Sequence, residues 1–452
     1  MSRNVRGLAA RILSRVEEGG FADALVDGTI KRGGIANSAD AALLTEIVMG
    51  TLRHRLLIDE AITKYLRRGI DEADPFVRNA MRIGAYQMFF LSRVPPHAAI
   101  NETVEAVKRK KGVRLAGLVN GVLRSLQRNL EKEGLSEVLP SLPLHVRYSI
   151  PSWMVDEIAR YVERERLEAV LERLATRPPA HVRINPLKDD AESIRRSIRH
   201  QGIQFSPHPV ADDCLVLADA PPLAGIEAFS DGSVTPQDVG SVLVARVVAG
   251  VAKTLRPHGG RLLDACSAPG IKTSYLCSLL PYWELWATDV SGKRIESMRR
   301  NFARMGVRDV TIERFDFTGD VPPHLQAAFD LVFVDAPCSG LGVVRRNPEV
   351  KWRIGKNDVD LCAEKARVIL GNALSCLKDG GYCIYSTCTF TGAENENVVK
   401  TVSLKGGGVI KSVQEAFPDL PGEMAHGLFA ITPPDLFDSD FFFIALMKKE
   451  VE

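Results

Sequence analysis

From Val5 to about Leu130 apolar residues recur three and four positions apart. Leu8, Ile12 and Val16 form one such series, Leu44, Ile47, Val48 and Leu52 another, and Val119, Val122 and Leu123 a third. That spacing is the stripe of an amphipathic helix, and strand-like alternation is absent. Gly19-Gly20, Gly33-Gly34, Asp74-Pro75 and Pro95-Pro96 interrupt the pattern where helices should break. Residues 1–140 are therefore expected to form an all-helical domain. Residues 141–235 differ in character. Pro140, Pro143 and Pro151 mark a joint, a helical stretch runs from Trp153 to about Ala175, and HVRIN (His181 to Asn185) looks like a short strand. A helix from Ala191 to His200 and a strand from Cys214 to Leu217 complete a small α/β segment. In residues 236–452 buried-type strands (RLLDAC, LWATDV, VTIERF, DLVFVDA and GYCIYST) alternate with helical patterns at Lys272 to Leu280, Lys293 to Met305 and Val359 to Leu377. Alternation of this kind predicts βαβ units and a doubly wound, mostly parallel sheet.

Composition narrows the class without naming a function. Of 452 residues 45% are hydrophobic and 25% charged, which excludes disordered, collagen-like and disulfide-stapled chains. No apolar run reaches the roughly 18 residues a membrane span requires, and the first twenty residues reach Glu17 and Glu18 without an apolar signal region. A cytoplasmic protein is expected. All eight cysteines lie at Cys214 or later, none in a C-x-x-C pair and none with zinc-ligand spacing, so neither a metal nor a disulfide is expected. The net charge of +2 hides an asymmetry: residues 1–140 carry 22 Lys and Arg against 16 Asp and Glu, while the remainder is net acidic. A basic front half suits a polyanionic partner.

In open α/β sheets ligands bind outside the carboxyl ends of the strands, so each strand exit is a place to look for chemistry. The first is DACSAPGIKTSYL (Asp264 to Leu276), where Ser267, Ala268 and Gly270 make a tight turn into a helix N-terminus that favours anionic groups. Although GIKT resembles the tail of a phosphate-binding P-loop, Ile271 stands before the lysine and the motif is not satisfied. The second strand ends at Asp289, about 20 residues past the glycine turn, where a carboxylate accepts hydrogen bonds from ribose hydroxyls. The third ends at Asp316. Either aspartate alone is commonly a helix cap or a solvated loop residue; at successive strand ends they point to an adenosine-containing cofactor. The fourth and fifth exits are VDAPCSG, with Asp335, Pro337 and Cys338, and YSTCTF, with Cys388. Two thiols beside an aspartate at adjacent exits are poorly explained as core filler. C5 of cytosine is a weak carbon nucleophile, and a thiolate adding at C6 turns the ring into an enamine able to attack a sulfonium methyl group.

Together DACSAPGIKT, Asp289, Asp316, DAPCSG and YSTC resemble the RNA 5-methylcytosine methyltransferases of the Sun/Nol1/Nop2 type. The front block, with EIVMGTLRHR (Glu46 to Arg55), RIGAYQMFFLSRVPPHAAINETVE (Arg82 to Glu105) and LVNGVLRSL (Leu118 to Leu126), resembles the NusB-like RNA-binding domain. The resemblance spans nearly the whole chain. It implies a NusB-like all-α domain, a small α/β linker or RNA-recognition subdomain, and a Rossmann-like methyltransferase domain using S-adenosylmethionine. By the family pattern Cys266, Ser267, Ala268, Pro269, Gly270, Ile271 and Lys272 would cradle that cofactor, Asp289 would hold its ribose, Asp316 would lie by its adenine, and Arg294 would approach it. Asp335 would sit between cofactor and target base, Cys388 would be the nucleophile, and Cys338 would assist product release. One departure is Ile271, where the family usually has a second glycine. If the position is already helical a side chain is tolerated, and that is the expectation here.

The implied activity is methyl transfer from S-adenosylmethionine to C5 of a cytosine in small-subunit (16S) ribosomal RNA, by a monomer without metal or membrane. Lys108 to Lys111 with Arg114, then Arg3, Arg6, Arg53 and Arg55, are candidates for phosphate contact, as are Arg345 and Arg346. Alternatives are the same chemistry on another RNA such as tRNA, a non-catalytic RNA-binding assembly factor, and a DNA cytosine methyltransferase with Cys338 as nucleophile. The factor has no need of both cysteines, and the T-C cysteine with the NusB-like front argues against the DNA enzyme.

Overall fold

The computed structural model describes residues 4–35, 37–134, 139–218 and 225–450. Arg3, a candidate for phosphate contact, lies outside the described residues. The chain forms two compact units, one comprising Met1–Asp156, Leu167–Arg177 and Val344–Arg353, the other Glu157–Arg166, Pro178–Val343 and Ile354–Glu452. Among the described residues no helix is long and apolar enough to cross a membrane.

The first unit is helical: α1 (Val5–Glu17), α2 (Ala22–Thr29), α3 (Ser38–Arg53), α4 (Arg55–Thr63), α5 (Pro75–Phe90), α6 (Pro96–Lys111) and α7 (Val113–Glu133), and the single helical stretch expected from Trp153 to about Ala175 is instead two helices, Ser152–Ile158 and Arg164–Leu174. Local chemistry sets the starts. Asn4 accepts a hydrogen bond from Gly7 N, Asn37 from Asp40 N, and Asp74 from Phe76 and Val77 N ahead of a helix whose first residue is Pro75. The apolar stripes of these helices meet in one core built around Leu13, Leu44, Ile47, Val48, Ile83 and Leu123. The helices carrying Gly50 and Tyr86 approach so closely that a Cβ at Gly50 would lie 2.0 Å from the tyrosine ring. Segment 344–353 completes this unit: Trp352 Nε1 donates to Leu52 O at 2.7 Å and Lys351 Nζ to Arg53 O at 2.7 Å.

In the second unit a four-stranded antiparallel sheet, in the order β2-β3-β1-β4, is built from β1 (Ala180–Ile184), β2 (Gln204–His208), β3 (Ala211–Ala218) and β4 (Val234–Pro236). Helix α8 (Ala191–His200), capped by Asp190, buries Ile194 and Ile198 in a cluster with Val182, Leu215 and Leu217. Buried Arg183 ties this small sheet to the helix that carries Ser274 and Tyr275, its guanidinium 4.3 Å from the Tyr275 ring and 3.1 Å from Ser274 Oγ. After α9 (Val239–Leu255) comes the large sheet: β5 (Arg261–Asp264), α10 (Ile271–Leu279), β6 (Glu284–Asp289), α11 (Gly292–Met305), β7 (Val310–Arg314), β8 (Phe329–Asp335), α12 (Lys356–Ser375) and β9 (Leu377–Thr387). It closes with α13 (Glu396–Val402), β10 (Val409–Lys411), β11 (Ala425–His426), β12 (Phe429–Ile431) and β13 (Phe443–Lys448).

The order is β11-β12-β13-β9-β8-β5-β6-β7, with β10 also on β13. Strands β9, β8, β5, β6 and β7 pair in parallel, as the alternating pattern requires. The strands after β9 are antiparallel to their neighbours, so the sheet is mixed and less parallel than expected. From β5 the chain moves outward to β6 and β7, then returns to lay β8 on the other flank of β5. The direction of winding reverses there, which opens a crevice at the carboxyl ends of β5 and β8.

Candidate active site

Strand β5 delivers a turn that is closed on itself. Ser267 N donates to Thr288 O at 2.9 Å, Gly270 N to Ser267 O at 2.8 Å, and Ser267 Oγ lies 2.8 Å from Thr273 Oγ1. The Ala268-Pro269 peptide is cis. Gly270 sits at φ +86°, in the left-handed region, and a Cβ there would lie 2.6 Å from Phe302 and 2.7 Å from Met298. Glycine is therefore required both by backbone conformation and by the approach of α11. Ile271 is the first residue of α10 and packs against the cluster of Met298 and Phe302. The side chain that replaces the family's usual glycine is thus in a helix and turned to apolar packing.

The crevice holds a cleft of about 240 Å³. Of the residues singled out from sequence, Cys266, Ala268, Asp289, Arg294, Asp316, Asp335, Cys338 and Cys388 line it. Ser267, Pro269, Gly270, Ile271 and Lys272 are not among the lining residues. The first four shape the turn, and Lys272 reaches Asp335, its Nζ 2.8 Å from Oδ2. Burial pulls the Lys272 ammonium towards its neutral form, but the charge and hydrogen bond of Asp335, with Cys388 and Asp264 nearby, outweigh it and raise its pKa. Asp264, fully buried behind the turn, accepts from Thr273 Oγ1 at 2.6 Å, and burial pushes its pKa up to about 7.

Asp289 is buried, accepts from Ser291 N at 2.9 Å, and pairs with Arg294 at 3.1 Å. Arg294 also donates to Ala268 O, so one guanidinium links the first and second strand exits. Asp316 is exposed and takes hydrogen bonds from Thr318 N at 2.9 Å and Thr318 Oγ1 at 2.8 Å. Phe315 and Phe317, edge to face with centroids 4.7 Å apart, flank it in the cleft wall. Lys365 and Ile369 of α12 supply the facing wall. The sequence reading missed these four. The two phenylalanines bracket the aspartate at a strand end, a legible signal, whereas nothing in α12 distinguishes Lys365 and Ile369 from ordinary helix positions.

At the fourth and fifth exits the sulfurs of Cys338 and Cys388 lie 3.4 Å apart. Strand β8 ends at Asp335 and β9 at Thr387, paired in parallel with Asp335 opposite Ser386, so both loops leave side by side. Gly342 N donates to Cys388 O at 2.9 Å. The Cys338 thiol is pushed well up by its hydrogen bond with Cys388, then by burial, then by the charges of Cys388 and Glu394. Cys266 is raised by burial, which makes it an inert thiol at the cleft floor.

The cleft suits S-adenosylmethionine by its donor set. Carboxylates at two strand ends are acceptors of the kind that ribose hydroxyls and an adenine amino group require, and Phe315, Phe317 and Ile369 offer apolar walls to a flat ring. Among the described residues no group of three or more His, Cys, Asp or Glu is arranged to hold a metal ion.

The basic candidates of the helical unit divide sharply. Lys108, Arg109, Lys110, Lys111 and Arg114 are exposed, with Arg109 paired to Glu105 and Lys111 to Asp74. Arg6 is half-buried and donates to Gln87 at 3.0 Å, and Arg55 stands over the Trp352 ring at 5.3 Å. Arg53 and Arg345 do not present a phosphate-binding surface: both are buried, Arg53 donating to Arg345 O and Arg345 to Thr176 Oγ1 and Arg177 O.

The fold and the strand-end cleft define an S-adenosylmethionine-dependent methyltransferase with an added helical domain. The chain belongs to the family described as 16S rRNA methyltransferase RsmB/F, which residues 252–448 match. Residues 3–128 match the NusB family, and residues 150–224 the ferredoxin-like domain of RsmF/B-like methyltransferases. Ribosomal RNA small subunit methyltransferase B of Escherichia coli O1:K1 / APEC is 30% identical over 451 residues, 99% of both chains. The protein of that name from Shigella sonnei (strain Ss046) is 31% identical over the same coverage. The crystal structure of PH0851 shares the fold over 99% of this chain and 100% of its own, at a TM-score of 0.76 and 20% identity. NSun6 from Pyrococcus horikoshii, solved with SFG, covers 67% of this chain and 99% of its own, at a TM-score of 0.54 and 20% identity.

Proposed function

We propose that the chain methylates C5 of a cytosine in small-subunit (16S) ribosomal RNA through a covalent bond between Cys388 Sγ and cytosine C6. The observation that carries this reading is the thiol pair, 3.4 Å apart in a cleft also lined by Asp335. A binding module needs no such pair. Two sulfurs at this distance do not both ionise readily, and the hydrogen bond to Cys388 together with burial holds the proton on Cys338. Cys388, in the T-C position, is the proposed nucleophile, and the Lys272 ammonium, drawn to its charged form by Asp335 and Cys388, steadies the thiolate. This argues against the arrangement with Cys338 as nucleophile.

S-adenosylmethionine, when bound, supplies a methyl group on a sulfonium centre. The turn from Cys266 to Lys272, with Arg294 and Asp335, is the proposed cradle for it. Asp289 is assigned to its ribose and Asp316 to the side of its adenine. Cys388 sulfur adds to C6 of a cytosine turned out of its stack, and the C5–C6 π pair shifts into the ring. A proton shared between the carboxyl of Asp335, assigned to N3, and the ring stabilises the enamine so formed and returns to Asp335 when the adduct resolves. Once bonded to carbon, the Cys388 sulfur carries no charge and no longer shares a thiol proton with Cys338, so two of the causes holding the proton on Cys338 are gone. The Cys338 thiol then gives its proton to solvent, and the resulting thiolate takes the C5 proton of the methylated ring. The C5–H electron pair forms the C5–C6 double bond, the C6–S bond breaks, and its pair returns to Cys388.

The test is methyl transfer from labelled S-adenosylmethionine to unmodified small-subunit ribosomal RNA, with tRNA alongside and the modified base identified by mass spectrometry. The expected product is 5-methylcytosine in the ribosomal RNA. Cys388→Ala should abolish transfer, and Cys338→Ala should leave enzyme bound covalently to RNA. Label confined to tRNA would overturn the substrate, and adduct in the Cys388 variant would reverse the cysteine roles.

A further inference from the structure

One fully buried acidic side chain near the thiols has no place in the steps above. Glu394 does not line the cleft, yet both cysteine loops converge on its carboxylate. Oε1 accepts from Ser339 N at 2.6 Å, and Oε2 from Ser339 Oγ at 2.6 Å, Thr391 Oγ1 at 2.6 Å and Thr389 Oγ1 at 3.2 Å. Ser339 directly follows Cys338, and Thr389 directly follows Cys388. The two hydroxyls also meet each other at 3.0 Å. The next residue, Asn395, repeats the device on the Cys388 loop, accepting from Thr387 Oγ1 at 2.6 Å and donating to Thr389 O at 3.0 Å.

A carboxylate only accepts hydrogen bonds, and four donors from three residues on the two cysteine loops satisfy it here. A buried acceptor of this kind fixes the loops that supply its donors, because withdrawing any donor in the absence of water leaves an unpaired polar group. The donors from Ser339 fix the residue next to Cys338 at two atoms. The Cys388 loop has in addition Asn395 and the hydrogen bond from Gly342 N. Cys338 therefore depends on Glu394 more than Cys388 does.

We infer that Glu394 is a positioning residue for Cys338, holding its sulfur against the Cys388 loop so that the covalent enzyme–RNA adduct resolves. The inference rests on the covalent reading proposed above. Loss of the Glu394 clamp should leave C6 addition and methyl transfer to bound RNA largely intact while slowing removal of the C5 proton. A sub-ångström misplacement of a proton acceptor is enough to slow that step severely.

The test compares four full-length proteins: wild type, Cys338→Ala, Glu394→Gln and Ser339→Ala. Each is incubated with S-adenosylmethionine and unmodified small-subunit ribosomal RNA, and turnover and denaturant-resistant enzyme–RNA adduct are both measured. In Glu394→Gln an amide donor faces hydroxyl and N–H donors. Turnover should fall by roughly 10- to 100-fold, with adduct rising about tenfold over wild type and KM for S-adenosylmethionine little changed. Ser339→Ala should show the same signature at smaller amplitude, and it decides the matter if Glu394→Gln does not fold. A purely structural role lowers adduct and turnover together, and that result would overturn the inference, as would wild-type behaviour of the folded variant. Adduct in Cys338→Ala but not in Glu394→Gln or Ser339→Ala would remove the positioning role alone. Absence of adduct in Cys338→Ala would remove the covalent reading, and this inference with it.

Discussion

The two compact units each hold a cavity of nearly the same size, and only one has the makings of an active site. In the helical unit about 250 Å³ is lined by Glu17, Arg55, Arg78, Arg82, Glu349 and Trp352, among others. In the sheet unit the strand-end cleft measures about 240 Å³. Volume does not separate them; the use made of charge does. Arg82 is almost fully buried, and its guanidinium is consumed by Asp59 at two atoms, by Glu17 at 2.6 Å and by Asn79 at 3.1 Å. Such a network orders the helices that supply it. In the sheet unit the groups at the cleft are matched less completely: two thiols face each other, and Asp335 offers one oxygen to Lys272 while remaining 30% exposed. Charge that is buried and satisfied fixes a fold, whereas charge held at the edge of a cleft is free to act on a ligand.

Exchanging the roles of the two regions gives the largest expected effects. Cys388→Ala should lower methyl transfer by roughly 10⁴-fold or more without changing thermal unfolding. Arg82→Met should do the reverse, destabilising the helical unit by about 3–5 kcal/mol because Glu17 and Asp59 lose their partner, while Cys388 alkylation in the folded protein stays at the wild-type rate. Equal losses of stability in both variants would break the distinction. Lys272→Met comes next, with kcat down about 100-fold and unfolding little altered, as for a charge that acts on the reacting sulfur.

Two buried groups, one in each unit, titrate with opposite signs. His54 stacks on Phe90 at 4.1 Å, and burial, with Lys351 and Arg53 nearby, lowers its pKa from 6.5 to about 3. The unfolded chain therefore takes the proton more readily. This contribution to stability is complete above pH 6.5 and is lost as pH falls from there towards 3. Asp264 runs the other way. Burial raises its pKa from 3.8 to about 7, so the folded form binds the proton more readily and stability falls as pH rises across that window. Hydrogen exchange resolved by unit should show the helical unit loosening in acid, and Asp264→Asn should flatten the sheet unit's loss towards neutral pH. The smallest effect concerns RNA. Each of Lys108→Ala and Lys110→Ala should reduce the slope of log affinity against log salt by about 1, with no change in base preference. Salt-insensitive binding would remove these lysines from the interface.

Much of the methyltransferase half is legible in the sequence because its strands are short, apolar and separated by amphipathic helices, and because ligands of such sheets collect at strand ends. The exits at Asp264, Asp289, Asp316, Asp335 and Cys388 can be found by that rule alone. The helical state of Ile271 follows from its place after a glycine turn. Other features leave no such trace. Arg53 and Arg345 have the look of surface cations, but burial depends on what packs over a residue, and a buried arginine reads the same in sequence as an exposed one. Lys365 and Ile369 reach the cleft from α12 only because that helix lies beside β8 and β9. The antiparallel strands after β9 go beyond the sequence pattern, since the direction of a strand depends on the edge of the sheet left open to it.

The amino-acid sequence by itself determined the helices of the front block, the five parallel strands of the large sheet with the helices between them, and which residues with reactive chemistry stand at strand ends. These are local properties, fixed by periodicity, capping and backbone freedom within a few residues. Tertiary structure alone decided that Cys338 and Cys388, fifty residues apart in the chain, bring their sulfurs to 3.4 Å, and that Glu394 fastens both loops. It also decided that residues 344–353 complete the helical unit. Contacts of this kind arise from strand order and from the burial of polar groups that must then be paired, and neither is written in any window of sequence.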